Sequence, residues 1–169
     1  MNMQKAGLPV ADAARSTMLY IASDHAGFEL KEYLKQELAK RDVRYKDFGA
    51  HAYDKNDDYP DFILPLAKAV GKNPKTHRGI VLGWSGQGEA IAANKAPAVR
   101  AALYYGGSAD IIKLSRTHNN ANVLSLGAGF VTKKEALTTV LIWLKTPFSG
   151  VARHKRRIKK ISTYEKSSR

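Results

Sequence analysis

Short apolar runs alternate with longer amphipathic segments along most of the chain. Apolar runs bounded by polar or turn-forming residues predict β-strands at residues 18–22, 43–48, 79–82, 99–104 and 122–126. Between and after them, leucine, isoleucine and valine recur every three or four residues, which is the spacing of a helix with one buried face. Helices are predicted at residues 28–41, after 59, up to about 95, at 108–116, around 137–144 and from about 149. This alternation predicts a three-layer, doubly wound, Rossmann-like α/β fold with a five-stranded parallel sheet.

Two polar loops are expected at one edge of this sheet, because ligands bind beyond the carboxyl ends of parallel strands. Asp24 and His25 follow the first strand, and the glycine-rich loop 83–89 follows the third. A glycine-rich turn that leads into a helix leaves backbone N–H groups free and attracts anions. Glu89 places a carboxylate where that helix begins. Anion binding alone does not require a negative charge there, so the loop indicates chemistry.

The composition is that of an ordinary globular domain. With 169 residues, of which 44% are hydrophobic and 25% charged, we expect one domain over residues 17–169 and a flexible leader at residues 1–16. No apolar run approaches the roughly 20 residues of a membrane span, and the N-terminal residues lack the apolar core of a secretory signal. The absence of cysteine excludes disulfides and a cysteine nucleophile, and it suits the cytoplasm, which we expect as the location.

Positive charge is concentrated at the C-terminus. The formal net charge is +13, from 28 Lys and Arg against 15 Asp and Glu, and residues 153–169 contain eight of the basic residues and one Glu. Three interpretations remain open: a solvated basic helix, a helix that binds the phosphate of a ligand, and nucleic-acid binding. Nucleic acid is not expected as a partner, because no aromatic residue is interleaved with the basic ones before Tyr164.

Several common types of site do not fit the motifs. A dinucleotide fingerprint requires Gly or Ala at the position of Ile91, and no Walker pattern follows the glycine-rich loop. The five histidines show no metal-ligand spacing, so neither a metal nor a cofactor is predicted. Taken singly, Asp24 has a simpler role as the cap of the following helix. His118 and Asn119 are likewise compatible with an ordinary helix C-terminus.

Six motifs nevertheless occur together in one order along the chain. They are Ser23-Asp24-His25-Ala26-Gly27; Asp58-Tyr59-Pro60-Asp61; Gly86-x-Gly88 with Ile91-Ala92-Ala93-Asn94-Lys95; Arg100-Ala101-Ala102; Ser115-Arg116-x-His118-Asn119-x-Ala121-Asn122; and Arg153-His154 with Arg157. In these motifs the chain resembles the ribose-5-phosphate isomerase type B family, which also includes the galactose-6-phosphate isomerase subunits. The resemblance extends from about residue 19 to residue 161.

The resemblance implies an aldose–ketose isomerisation at carbons 1 and 2 of a phosphorylated sugar, through an enediolate and without a cofactor. One branch of the family uses a cysteine as base at the position of Gly83. This cysteine-free chain resembles the other branch, in which a glutamate at the position of Glu89 is the base. The expected reaction interconverts ribose 5-phosphate and ribulose 5-phosphate. It is expected in a homodimer whose active sites draw residues from both chains.

The resemblance also implies roles in proton transfer. Glu89 moves a proton between C2 and C1, while Ser85 and the backbone of Gly86, Gln87 and Gly88 face the oxygen that becomes negative. His118, with Asp24 as its orienting group, protonates the ring oxygen and opens the sugar ring.

Substrate contacts are implied in the same way. Asn119 is expected to hold a sugar hydroxyl, and His25, Arg153 and Arg157 are expected to bind the phosphate. The two arginines are four residues apart, so they share one face of a helix and can converge on one anion.

Two positions depart from the family pattern. In the relatives with a glutamate base, an arginine that also contacts phosphate lies eleven residues after the catalytic histidine, and here that position is Gly129. Trp84 replaces a small residue in the anion loop, where it can narrow the pocket or simply pack as a surface indole. The alternatives are therefore an isomerase of another sugar phosphate, such as allose 6-phosphate or galactose 6-phosphate, or a sugar-phosphate-binding protein without turnover.

Overall fold

The computed structural model describes residues 18–167. Within them, the strands are β1 (Met18–Ser23), β2 (Tyr45–Asp47), β3 (His77–Gly83), β4 (Ala101–Tyr104) and β5 (Val123–Gly127). The helices of the same residues are α1 (Phe28–Ala39), α2 (Pro60–Lys72), α3 (Gln87–Ala93), α4 (Ala109–Thr117), α5 (Lys133–Lys145) and α6 (Ala152–Ser167). Each predicted strand and helix is present. The predicted leader at residues 1–16 lies outside the described residues.

The strands form one parallel sheet in the order β2-β1-β3-β5-β4. The predicted α/β fold with a five-stranded parallel sheet is confirmed. From β1 the chain passes to β2 on one side and then crosses to β3 on the other side. The loops that follow β1 and β3 therefore leave the sheet in different directions, and a crevice forms between them at the carboxyl ends of these strands.

Helices cover both faces of the sheet with separate apolar layers. On one face, Leu34 of α1 and Trp143 of α5 pack with Ile21 of β1. On the other face, Leu66 of α2 packs with Val81 of β3. Except for Trp143, these positions are ones that the helical spacing and the apolar runs predicted to be buried. No helix within residues 18–167 has the length and apolar character that a membrane crossing requires.

Two strands begin two residues later than the hydrophobic pattern predicted. The Val43 N–H donates back to the last turn of α1 at 3.0 Å, so β2 begins at Tyr45. The Arg100 N–H donates to the side chain of Asn122 at 2.7 Å, so β4 begins at Ala101. In both places a turn or side-chain acceptor takes a backbone donor away from the sheet, and such competition is invisible in an apolar pattern.

Candidate active site

The loop after β3 is held against the end of β5. The Ala128 N–H donates to the Gly83 carbonyl at 2.8 Å, and the Gly129 N–H donates to the Trp84 carbonyl at 2.9 Å. Gly86 then adopts a φ of 73°, which favours glycine, and it is the N-cap of α3. The sharp turn places the first N–H groups of α3 at the crevice between β1 and β3.

Glu89, in the first turn of α3, has a buried carboxylate. The residue is only 4% exposed, and its carboxylate fills the space that a side chain on Gly83 would occupy. Burial raises the pKa of Glu89 against the opposing effect of its own N–H, and the charge of Asp24 raises it further. Glu89 is therefore a stronger base than an exposed glutamate, and its position depends on the absence of a side chain at residue 83.

Asp24 and His25 occupy the turn after β1, at the same edge of the sheet. The Asp24 carboxylate is buried, which raises its pKa, and it accepts a hydrogen bond from the Gly27 N–H at 3.0 Å. Asp24 thus closes the turn that leads into α1, whereas the N-cap of this helix is Gly27, so the expected capping role is not found. The Asp57 carboxylate accepts from the His25 Nδ1–H at 2.6 Å and from the His25 backbone N–H at 3.0 Å. The bond to Asp57 raises the pKa of His25, which favours the positive charge that an anion requires.

The same three side chains could hold a metal by their chemistry. Among the described residues, only Asp24, His25 and Asp57 present a set of metal-type ligand atoms, all within 4.8 Å of one another. However, the His25 Nδ1 and one oxygen of each aspartate already take part in hydrogen bonds. We therefore assign this group to holding His25 in place.

Ser85, Gln87 and Gly88 surround the start of α3. The Ser85 hydroxyl accepts from the Gln87 N–H at 3.3 Å. The ring of Tyr59 lies over Gly88, so closely that a Cβ there would be 2.9 Å from the ring. In the described part of the chain the Gly88 N–H has no hydrogen-bond acceptor. A hydroxyl and a free N–H are thus present beside Glu89 for an oxygen that becomes negative.

A cleft of about 620 Å³ opens beside this loop. Its walls include His25, Tyr53, Trp84 and Lys133. The indole of Trp84 is 64% exposed and rests on Gly129. The two departures from the family pattern are therefore in direct contact with each other.

The remaining predicted residues lie at the opposite edge of the sheet. His118 is the C-cap of α4, just before β5 begins, and its ring centroid is 4.2 Å from that of His154 on α6. The Nε–H of Arg153 donates to the Nε2 of the buried His154 at 3.2 Å. Asn119 and Arg157 are exposed at the same end of the molecule.

Within one chain, the predicted site residues therefore form two groups. Those near Glu89 follow the carboxyl ends of the strands, whereas those near His118 lie where the strands begin. The five residues of β5 separate the two edges by roughly 16 Å. Asp24 consequently does not orient His118 within one chain, and it contacts the turn into α1 instead.

Three residues at the carboxyl edge were given no role in the site from the sequence, although Tyr59 belongs to one of the six motifs. Asp57 positions His25, Tyr59 covers Gly88, and Tyr53 lines the cleft. All three belong to the segment after β2, which ends at the same edge as β1 and β3. The rule that loops at this edge share a site would have identified them if it had been applied to β2 as well.

Comparison with known proteins places the chain in a family. The profile of the Ribose/Galactose Isomerase family matches residues 19–161. The chain belongs to this family. Ribose-5-phosphate isomerase B of Mycolicibacterium paratuberculosis is 43% identical over 149 residues, which cover 88% of this chain and 92% of that protein. The probable ribose-5-phosphate isomerase B of Mycoplasma genitalium is 43% identical over 150 residues, which cover 89% of this chain and 97% of that protein.

Solved structures agree with this family assignment. Ribose-5-phosphate isomerase B from Mycoplasma genitalium with bound ribulose-5-phosphate superimposes with a TM-score of 0.85 at 43% identity. The superposition covers 89% of this chain and 97% of that chain. Ribose-5-phosphate isomerase B of Clostridium thermocellum superimposes with a TM-score of 0.83 at 42% identity. The superposition covers 90% of this chain and 100% of that chain. The family that the six motifs indicated and the fold that the alternation of strands and helices predicted are both confirmed.

Proposed function

We propose that this chain interconverts ribose 5-phosphate and ribulose 5-phosphate through an enediolate, without a cofactor. The observation that carries the proposal is the buried carboxylate of Glu89, set beside the first N–H groups of α3. An aldose–ketose isomerisation requires a base that moves one proton between neighbouring carbons, and donors for the oxygen that gains charge. The names of its relatives, and a neighbouring structure that holds ribulose 5-phosphate, support the same enzyme class and substrate.

In the proposed reaction, Glu89 takes the proton from C2 of the open-chain aldose. The electron pair forms the C1–C2 double bond, and the carbonyl pair moves to O1, which faces the Ser85 hydroxyl and the N–H groups of residues 86–88. Glu89 then returns its proton to C1, the O2 hydroxyl proton passes to O1, and O2 becomes the ketone. A positioned base of this kind typically contributes ~10²–10⁴-fold to the rate.

The substrate's ring and phosphate are assigned to the other residues. His118 protonates the ring oxygen, Asn119 holds a hydroxyl, and His25, Arg153 and Arg157 contact the phosphate. His118 and the arginines lie at the far edge of their own sheet, so they serve the Glu89 site of a second copy. We therefore propose a homodimer with two shared active sites.

Exposed apolar side chains support a second copy. Ile91 of α3 is 62% exposed, Ile111 of α4 is 54% exposed, and Ile161 of α6 is 60% exposed. Among the residues of α6 whose burial is described, only His154 is buried. A helix that presents apolar residues to solvent and packs little on its own chain is typical of a subunit interface. The cytoplasm remains the proposed location of this assembly, in keeping with a cysteine-free chain.

Proton exchange in deuterated water tests the proposed function. Wild type should convert ribose 5-phosphate and replace the C2 proton with deuterium, as followed by NMR. Glu89→Gln should lose both activities by at least about 100-fold, because the amide cannot take a proton. Glu37→Gln, in the last turn of α1 where the carboxylate pairs with Lys40 and Arg41, is the control that should keep wild-type activity.

Three other outcomes would each change the proposed function in a different way. Turnover of allose 6-phosphate or galactose 6-phosphate, but not of ribose 5-phosphate, would reassign the substrate. Binding of ribose 5-phosphate without proton exchange on any sugar would indicate a sugar-phosphate-binding protein that is not an enzyme. Full activity of Glu89→Gln would remove Glu89 as the base.

A further inference from the structure

Trp84 and Gly129 form a single steric unit. A Cβ on Gly129 would lie 2.6 Å from Cε2 of the indole, 2.7 Å from Cδ2 and 2.9 Å from Cζ2. These distances are too short for any real Cβ, so the ring lies in the space above the Gly129 backbone. The hydrogen bond between the Gly129 N–H and the Trp84 carbonyl fixes the two residues side by side. The indole can occupy this position only because residue 129 has no side chain.

The same indole forms a wall of the cleft. Trp84 lines it together with His25 and Tyr53, and it is 64% exposed. Its outer edge contacts the ring of Phe130, with the centroids 6.3 Å apart, whereas Phe130 does not line the cleft. Trp84 also directly precedes Ser85, at the start of the loop that carries Glu89. The indole therefore shares the cleft with the residue assigned to the phosphate, and its own residue begins the loop that carries the proposed base.

The groups assigned to the two ends of the substrate are held in place near this wall. Glu89 is buried against Gly83, and Asp57 holds His25 by two hydrogen bonds. A sugar phosphate that reacts at C2 must therefore fit its remaining carbons between these two points. Any additional carbon has to take up space at the cleft wall, where the indole stands.

We propose that Trp84, seated on Gly129, is a specificity-determining residue that limits the length of the sugar phosphate to five carbons. This inference rests on the proposed isomerase function. It assigns to the indole a steric role in excluding longer chains, and it makes the glycine at 129 a requirement for that role. An enzyme typically discriminates by about 10–200-fold between two substrates that differ by one methylene group in a pocket. An indole fills far more of the pocket than a methylene group, so it is sufficient to exclude a six-carbon substrate.

Opening the cleft tests the proposal. For Trp84→Gly, the ratio of kcat/KM for allose 6-phosphate to kcat/KM for ribose 5-phosphate should rise at least about tenfold over wild type. Trp84→Phe, which keeps a smaller ring, should give an intermediate ratio. Tyr105→Ala is the matched control, because it removes a similarly exposed aromatic ring that does not line the cleft, and its ratio should stay at the wild-type value.

Gly129→Ala tests the coupling of the two residues. The new methyl group must displace the indole, so this variant should change the same ratio although Trp84 remains present. In the Trp84→Gly background, Gly129→Ala should cause no further change in the ratio of the two kcat/KM values. Thermal unfolding of all variants separates loss of folding from change of specificity, because a purely structural Trp84 would lower the melting temperature without changing the ratio.

The proposal fails if Trp84→Gly leaves the ratio unchanged while ribose 5-phosphate is still converted, or if Tyr105→Ala raises the ratio as much. Independent effects of Gly129→Ala and Trp84→Gly would also overturn it. A wild-type protein that converts neither sugar phosphate would instead contradict the proposed function itself.

Discussion

At the scale of single residues, Gly83 and Glu89 depend on each other. The carboxylate lies where a side chain at residue 83 would begin, so even one methyl group there would push the base out of place. Gly83→Ala should therefore lower kcat by about 100-fold or more while the fold is kept, because the effect approaches removal of the base. Steady-state kinetics and circular dichroism of the variant provide the measurement.

A double variant supplies the control for this prediction. In the Glu89→Gln background, Gly83→Ala should cost little additional activity, since the base is already absent. If the two losses multiply, the methyl group acts through something other than Glu89.

The buried environment of Glu89 also predicts a pH dependence. Only the ionised carboxylate accepts a proton, so kcat/KM should fall as the pH drops through the raised pKa of Glu89. Burial is the main cause of that raised pKa, and the charge of Asp24 adds to it. Asp24→Asn removes this charge and should move the acid limb of the pH profile to lower pH. An acid limb that stays in place or moves to higher pH would contradict the assignment.

The sequence was sufficient to place some residues of the candidate site but not others. Asp24, His25 and Glu89 were predictable, because they directly follow β1 and β3 at the edge where ligands bind. Asp57 was not, because it lies inside a polar loop and reaches His25 only in three dimensions. The contact of Trp84 with Gly129 likewise joins two segments far apart in sequence, so each residue looked like a separate anomaly.

At the scale of elements, α1 is tied to β2 by a buried lysine. The side chain of Lys31 is fully buried, and its Nζ lies 2.9 Å from the Asp47 carboxylate and donates to the Ala50 carbonyl at 2.5 Å. Lys35 on the next turn of α1 reaches the same carboxylate at 2.7 Å but is partly exposed. The helical spacing predicted the leucines of α1 but assigned no role to Lys31, since a lysine normally indicates a solvated face.

This difference in burial predicts two unequal variants. Lys31→Ala should lower the free energy of unfolding by about 3 kcal/mol, because it breaks a buried ion pair and removes a packed side chain. Lys35→Ala should cost about 1 kcal/mol or less, because its pair with Asp47 is partly solvated. Urea unfolding of both variants measures the comparison. Equal losses would show that the burial of Lys31 has no energetic weight.

At the scale of the whole molecule, the two groups of site residues face away from each other. The sequence pattern was sufficient for the fold, since alternating strands and helices leave few topologies. The same pattern implies that His118 and Glu89 lie at opposite edges, because His118 precedes β5 whereas Glu89 follows β3. The position of α6, which buries only His154 among the side chains described for it, was not evident from its basic composition.

Mixing inactive chains tests the shared site. Glu89→Gln and His118→Asn should each be inactive as homodimers, but a mixed dimer has one site with both residues intact. Dissociating and reassociating equal amounts should recover about a quarter of wild-type activity, since half of the dimers are mixed and each has one good site of two. Glu89→Gln mixed with Ser85→Ala is the control, because both changes affect the same edge and no intact site can form. Lack of recovery in verified mixed dimers would contradict the shared site.

The crowding between Gly83 and Glu89 also restricts how such an enzyme can evolve. A lineage that exchanges a carboxylate base at residue 89 for a base borne by residue 83 cannot pass through a form that holds both in place, because the two side chains compete for one volume. The carboxylate must shrink or leave before the new side chain arrives, so the intermediate ancestor has a weakened base or none. Such a transition requires an interval in which the gene is released from selection for this activity, for example after duplication.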